Sequence, residues 1–170
     1  MRVVIFLFLM LTQLYSESLG SLDGDFSERS KEEKFISYIQ NREYEKINIF
    51  IANNEDIDFD VENKNTPLFY AIDVGDIKIV KLLIEHGANI YSLNSDLETP
   101  LHIAVQGNHV EIVRLLLENS CSVSSEDIYG NKPIFYAKEH AYNEIIELLT
   151  VYEKNREEKV DSLEEFIKNF

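Results

Sequence analysis

Cysteine is almost missing from this chain: one of 170 residues, Cys121, carries a thiol. A lone cysteine excludes an internal disulfide framework and any zinc site built on paired cysteines. Glycine is sparse as well, six residues without a patterned cluster, so no phosphate-cradling loop can be assembled. Basic side chains are outnumbered, 16 Lys and Arg against 31 Asp and Glu, which leaves a formal net charge of -15. Phosphate backbones call for clustered Lys and Arg, so this balance argues against nucleic acid. It argues equally against docking on an anionic membrane surface. A basic partner would be attracted, over the roughly 10 Å that salt screening allows. Proline is rare too, with three residues.

What is present begins with enough apolar matter, 45% of the chain, to build one real core. Residues 1–18 differ from the rest. Arg2 supplies a positive start, residues 3–11 (VVIFLFLML) are unbroken apolar, and Thr12 and Gln13 end the run. Small residues follow at Ser16, Ser18 and Gly20. Charge, apolar stretch and small-residue exit are the parts of a secretory signal peptide. A spanning helix needs about 20 apolar residues, so the run is too short to be one. A buried helix of the domain would show a polar face, which this run lacks. Cleavage is expected after Ser16, Ser18 or Gly20, with Ser18 preferred. No Leu-x-x-Cys string offers a lipid anchor.

The three prolines, Pro67, Pro100 and Pro133, are spaced by 33 and 33 residues. A pattern returns around each. Thr66-Pro67-Leu68-Phe69-Tyr70-Ala71 aligns with Thr99-Pro100-Leu101-His102-Ile103-Ala104 and with Lys132-Pro133-Ile134-Phe135-Tyr136-Ala137. Ile79-Val80 with Leu82-Leu83 matches Ile112-Val113 with Leu115-Leu116, then Ile145-Ile146 with Leu148-Leu149. The second copy holds T-P-L-H-x-A in full. With that string and that period, the chain resembles the ankyrin-repeat family over about residues 28–159.

The resemblance implies an all-α solenoid of four helix-turn-helix repeats and protein binding without catalysis. The expected layout is a leader at 1–18, a degenerate first repeat at 28–60, and repeats at 61–93, 94–126 and 127–159. A short capping helix is expected at 160–170. The first copy lacks the proline, but Ile47, Ile49 and Phe50 fall where Val80, Leu82 and Leu83 lie, and Asp56-Ile57 where Asn89-Ile90 does. Ser30-Lys31-Glu32-Glu33 reads as the capping box that starts it. Terminal repeats should be atypical, since one face meets water.

Within each copy, Thr66 and Thr99 are expected N-caps with proline at the first helical position. Ala71, Ala104 and Ala137 let paired helices approach. Gly75 is expected to end its helix in a left-handed conformation, a place the next copy gives to Gly107-Asn108. The last copy departs, with Lys132, Ala141 and Glu153 replacing the Thr and Gly residues. Ser162-Leu163-Glu164-Glu165 offers another capping box, and Val160, Leu163, Ile167 and Phe170 share a helix face that either covers the open end or docks on a partner.

Chemistry finds little support. His86, His102, His109 and His140 show no i,i+4 pair or cluster with ligand spacing, so no metal is expected. The family resemblance gives His102 the structural task of tying neighbouring turns by hydrogen bonds. Cys121 takes the place of Ala88 and reads as a small buried hydrophobe; an exposed thiol would instead link two chains. Ser124-Ser125 has no base beside it. No catalytic residue and no cofactor is expected.

The resemblance also carries the family's binding positions, turn tips and first helices on a concave face, onto twelve residues. They are Glu62, Asn63, Asn65 and Asp73; Ser95, Asp96, Glu98 and Gln106; Ile128, Tyr129, Asn131 and Glu139. Five of the twelve are acidic and none is basic, which suits a basic protein or peptide. The bland alternative is a solvated acidic face with the partner elsewhere. The Ile, Asn, Lys and Glu content and the plain leader suggest a bacterial export product, periplasmic first and released outside second, where it would act on host proteins. After cleavage no stable membrane insertion is expected.

Overall fold

The computed structural model describes residues 30–53 and 56–168. The expected leader at 1–18 lies outside the described residues. The chain divides into two compact units, Met1–Lys34 and Phe35–Phe170. Of the first, residues 30–34 are described. There the Glu33 N–H donates to Ser30 Oγ at 3.2 Å, one of the two bonds expected of the capping box.

Among the described residues there are eight α-helices and no strand: α1 (Lys31–Gln40), α2 (Tyr44–Ala52), α3 (Pro67–Asp73), α4 (Ile77–Glu85), α5 (Pro100–Gln106), α6 (Val110–Glu118), α7 (Pro133–Glu139) and α8 (Asn143–Lys168). A single 3-10 turn, Glu62–Lys64, precedes α3. Each proline stands at a helix start, as read from the sequence, where its missing N–H leaves no bond unmade. In the second unit α3, α5 and α7 pack side by side in one layer, and α4, α6 and α8 in another. Within each pair the helices also pack on each other. This is the stacked-hairpin solenoid expected.

The period is written into the backbone. Arg42, Gly75, Asn108 and Ala141, 33 residues apart, all take positive φ (+56°, +71°, +54° and +56°). They separate the two helices of each pair. Residue 42 belongs to the copy without proline, so that copy turns as the others do. The first repeat also repeats a smaller detail: Asp56 Oδ1 accepts from the Asp58 N–H at 2.9 Å, as Asn89 Oδ1 does from Tyr91. Its helix face differs from expectation at one place. Ile47 is fully buried and Phe50 stacks on Phe35 at 3.9 Å, but Ile49 is 62% exposed. Ile47 and Ile51 lie one turn apart and point inward, which leaves Ile49 on the opposite side.

Two further expectations need correction. Thr66 begins α3 without a side-chain bond, and its buried Oγ1 has no partner. Thr99 caps α5 fully, because His102 Nδ1 accepts from the Thr99 N–H at 3.1 Å. The second repeat has Phe69 where that histidine stands, so the reciprocal partner is missing. Secondly, among the described residues no separate helix begins at 160: α8 is continuous from Asn143 to Lys168. Gly87 and Ser120 leave α4 and α6 at φ +90° and +63°, whereas their equivalent, Glu153, stays helical. With no glycine or proline beyond it, nothing stops the helix. The Ser162–Glu165 string therefore falls inside a helix and marks no start.

The seam between layers is apolar. Ala71, Ala104 and Ala137 are fully buried, as are Ile79, Val80, Leu83, Val113, Leu116 and Ile145. Leu83→Ala or Leu116→Ala should cost roughly 2–5 kcal/mol, a large part of a typical total of about 5–15 kcal/mol. Thermal and urea melts check this, and unchanged midpoints in both variants would contradict it.

Small residues also make room for a histidine. A Cβ on Gly75 would come within 2.6 Å of His109 Cε1, and one on Gly107 would overlap the same ring. Gly107 has an ordinary φ of -75°, so space alone requires glycine there. Gly107→Ala should destabilise by about 1–3 kcal/mol through overpacking. In a His109→Ala background that penalty should disappear, since alanine is the better helix former. Equal penalties in both backgrounds, measured by urea melts, would show that His109 is not the cause.

Candidate interaction face

The turns that precede α5 and α7 are built on one side chain each. Asn94 Oδ1 accepts from the Asp96 and Glu98 N–H groups at 3.0 and 2.9 Å. Asp127, 33 residues on, accepts from Tyr129 and Asn131 at 2.8 and 3.0 Å. Successive tips are tied as well. The Ser95 N–H donates to the Asn63 carbonyl at 2.8 Å, and the Ile128 N–H to that of Asp96 at 2.9 Å. His102 is fully buried. Its Nδ1 accepts from Thr99, so its Nε2–H donates to the Asn131 carbonyl at 3.2 Å. The expected tie between neighbouring turns is thus formed. Positive φ recurs here too, at Lys64, Leu97 and Gly130.

These bonds fix where the twelve expected residues stand. Glu62, Asn63, Ser95 and Asp96 are exposed at the tips; Asp73 and Glu139 are exposed at the ends of α3 and α7. Glu98, Asn65, Gln106 and Asn131 are half-buried. Ile128 and Tyr129 project into solvent, Tyr129 with 77% of its surface exposed. Five of the twelve, Asn63, Asn65, Asp73, Asp96 and Glu98, come together around a cavity of about 310 Å³. The other seven lie outside its wall. Four wall residues escaped sequence reasoning: Phe69, Tyr70, Asn94 and Ile103. Tyr70 and Ile103 occupy the same repeat position, one period apart, which is the signal that could have found them.

Glu98 is held from both sides: Asn94 Nδ2 donates to Oε2 at 2.8 Å and Gln106 Nε2 to Oε1 at 2.7 Å. No lysine or arginine lines this cavity, although Lys64 stands exposed at the neighbouring tip. Burial pushes the Tyr70 hydroxyl pKa up, and Glu62 adds to the rise. At Asp127 burial works against the charge, but the Tyr136 hydroxyl and the Asn131 and Tyr129 N–H groups hold the carboxyl below its usual range. Tyr136 rises through that same bond. Burial pushes the His102 pKa down.

A larger cavity, about 560 Å³, lies between α6 and α8 and is lined by Leu117, Leu148, Val151 and Tyr152 with acidic neighbours. Its arginine is already engaged, Arg114 to Glu144 at 3.6 Å. The remaining histidines serve local ends. His86 and His140 Nδ1 pair with the Leu82 and Tyr136 carbonyls at 2.8 and 3.0 Å, and His109 fills the space beside Gly75 and Gly107. Cys121 is 2% exposed and its thiol pKa is pushed up to about 12 by burial, a small core residue as read. Among the described residues no group of three or more His, Cys, Asp or Glu could hold a metal ion. Among them too, no helix is long and apolar enough to cross a membrane.

The model of a known family, ankyrin repeats (3 copies), matches residues 35–127 and 90–161. Repeat period, paired helices and this match agree, and the chain belongs to the ankyrin-repeat family. Ankyrin repeats are generally protein–protein interaction modules and typically non-enzymatic. No curated protein gives a match to the chain.

The tie through His102 predicts a pH dependence. Nδ1 accepts and Nε2 donates, so the folded chain keeps this imidazole neutral, while the unfolded chain takes a proton below about pH 6.5. Its contribution is therefore complete above that pH and declines as pH falls. The slope is at most about 1.4 kcal/mol per pH unit, one proton's worth. Asp127, whose folded pKa is lowered, adds a second loss below about pH 4. His102→Gln should be less stable overall yet flatter between pH 6.5 and 5 in urea melts. An unchanged slope would assign that limb to other groups.

Proposed function

We propose that this chain is a non-catalytic binding module that grips a basic protein or peptide on its tips and first helices. The observation that carries the reading is the row of carboxylates there: Glu62, Asp73, Asp96, Glu98 and Glu139. Among the described residues none of them forms an ion pair with Lys or Arg. Such a row steers a cationic partner inward and disfavours anionic ones. Exposed Ile128 and Tyr129 supply apolar and aromatic contact, the residue types that anchor interfaces. A leader at 1–18 would deliver the module to the cell envelope of a bacterium, where it would hold an envelope protein. Release into the medium and action on host proteins is the second destination, and fractionation of the source cells separates the two.

Reversing Asp73, Asp96 and Glu98 to Lys together should abolish binding of a polylysine probe and of whatever basic protein the parent chain captures from envelope extract. Circular dichroism should show the helices intact. Binding should also weaken steeply with added salt. Full binding by the folded triple variant would move the interface off this face.

A further inference from the structure

We propose that the cavity between the second and third repeats receives one arginine side chain of the bound partner. The inference rests on the reading of this face as a site for basic proteins and names the group recognised there. Size comes first. About 310 Å³ is at the low end for ligand pockets, room for one side chain and not for a folded cofactor.

The wall chemistry then selects a planar organic cation. Asp73, Asp96 and Glu98 contribute carboxylates, and Phe69 and Tyr70 contribute ring surface. A guanidinium has five N–H donors, no acceptor, and a flat face that stacks on aromatic rings. Two nearby amides, those of Asn94 and Gln106, are committed to Glu98, one to each oxygen. That leaves the remaining lone pairs of a fixed carboxylate for a ligand. The carboxylates do not converge as metal ligands would, since no such group forms among the described residues. A spread of acceptors beside aromatic surface fits a forked donor better than a point charge.

The next junction differs at several of these positions. There Asp127 accepts from the Tyr136 hydroxyl as well as from its own turn. The equivalents of Asp96 and Glu98 are the uncharged Tyr129 and Asn131.

The test uses the full chain and a short labelled peptide of glycine, serine and lysine with a single central arginine, followed by fluorescence anisotropy. Replacing that arginine by citrulline, which keeps the shape and removes the charge, should weaken binding by about tenfold; lysine should fall between. Asp73→Asn with Asp96→Asn should erase the difference between the arginine and citrulline peptides. Glu62→Gln with Glu139→Gln, on the same face but outside the cavity, should weaken both peptides alike and keep their ratio. Should the first pair of changes unfold the chain, Tyr70→Leu serves instead and should remove the preference for arginine over lysine. Equal binding of the arginine and citrulline peptides overturns the receptor while leaving the acidic face standing. Failure of every basic peptide to bind overturns both. Free arginine amide binding as tightly as the peptide would make this a small-molecule site and overturn the assignment to a protein partner.

Discussion

A helical hairpin of this size has one apolar stripe on each side and no way to bury both by itself, so everything else in the second unit follows from stacking. The residues that face the next repeat show how strictly this holds. Ile72 and Val105, one period apart, are both fully buried. Their equivalent in the fourth repeat, against which no further repeat packs among the described residues, is the exposed Lys138. Leu117 is 5% exposed, and its successor is Thr150, which faces solvent. The same position changes from oil to water according to whether it has a neighbour. Among the described residues, the apolar period fades at the outer face of the fourth repeat.

Stacking also explains why turns carry so much of the hydrogen bonding. The tips lie outside the packed helices and depend less on the apolar seam for their order. Their order comes from Asn94 and Asp127 inside each tip, from backbone bonds between tips, and from His102 reaching to the Asn131 carbonyl. The cost is backbone strain, since Lys64 and Leu97 hold left-handed conformations that glycine adopts freely at Gly130. Rigid tips have a functional consequence. Side chains offered from them are already ordered, so less entropy is lost when a partner is bound.

Much of this was legible before any coordinates. The 33-residue period, the prolines at helix starts, Gly75 and Asn108 as left-handed turns, the small Ala71 series, and His102 as a tie between turns all depend on local rules or on repetition. What escaped depends on pairs. Thr66 has the chemistry of a cap, but its failure is decided by Phe69 three residues on. Ile49 matches an apolar column, yet the rotation of α2 puts Ile51 inside instead. The helix predicted for 160–170 became part of α8 because Glu153 offers no stop, a fact visible in the sequence but outweighed by an attractive second capping box. The cavity was half legible: its carboxylates were named, while Tyr70, Ile103 and Phe69 appeared only as letters of the repeated motif. Only stacking reveals that two repeats present those residues to one space.

Spaces shared between repeats bear on how such an array acquires specificity. The core positions are committed to the seam and cannot vary without loss of stability. Each junction, however, brings together a tip from one repeat and a first helix from its neighbour, and these positions face solvent. Between repeats two and three they are acidic and aromatic; between three and four, a neutral Asn131 and the projecting Ile128 and Tyr129. A partner matching both junctions would present a cation about one repeat away from an apolar group, since successive junctions are successive steps of the same stack. Charge alone would then give attraction and on-rate, while the spacing between the two contacts would give discrimination. The net charge of -15 is too diffuse to do the second task. On the proposed reading, recognition would come down to the few side chains that the stacked turns hold in register.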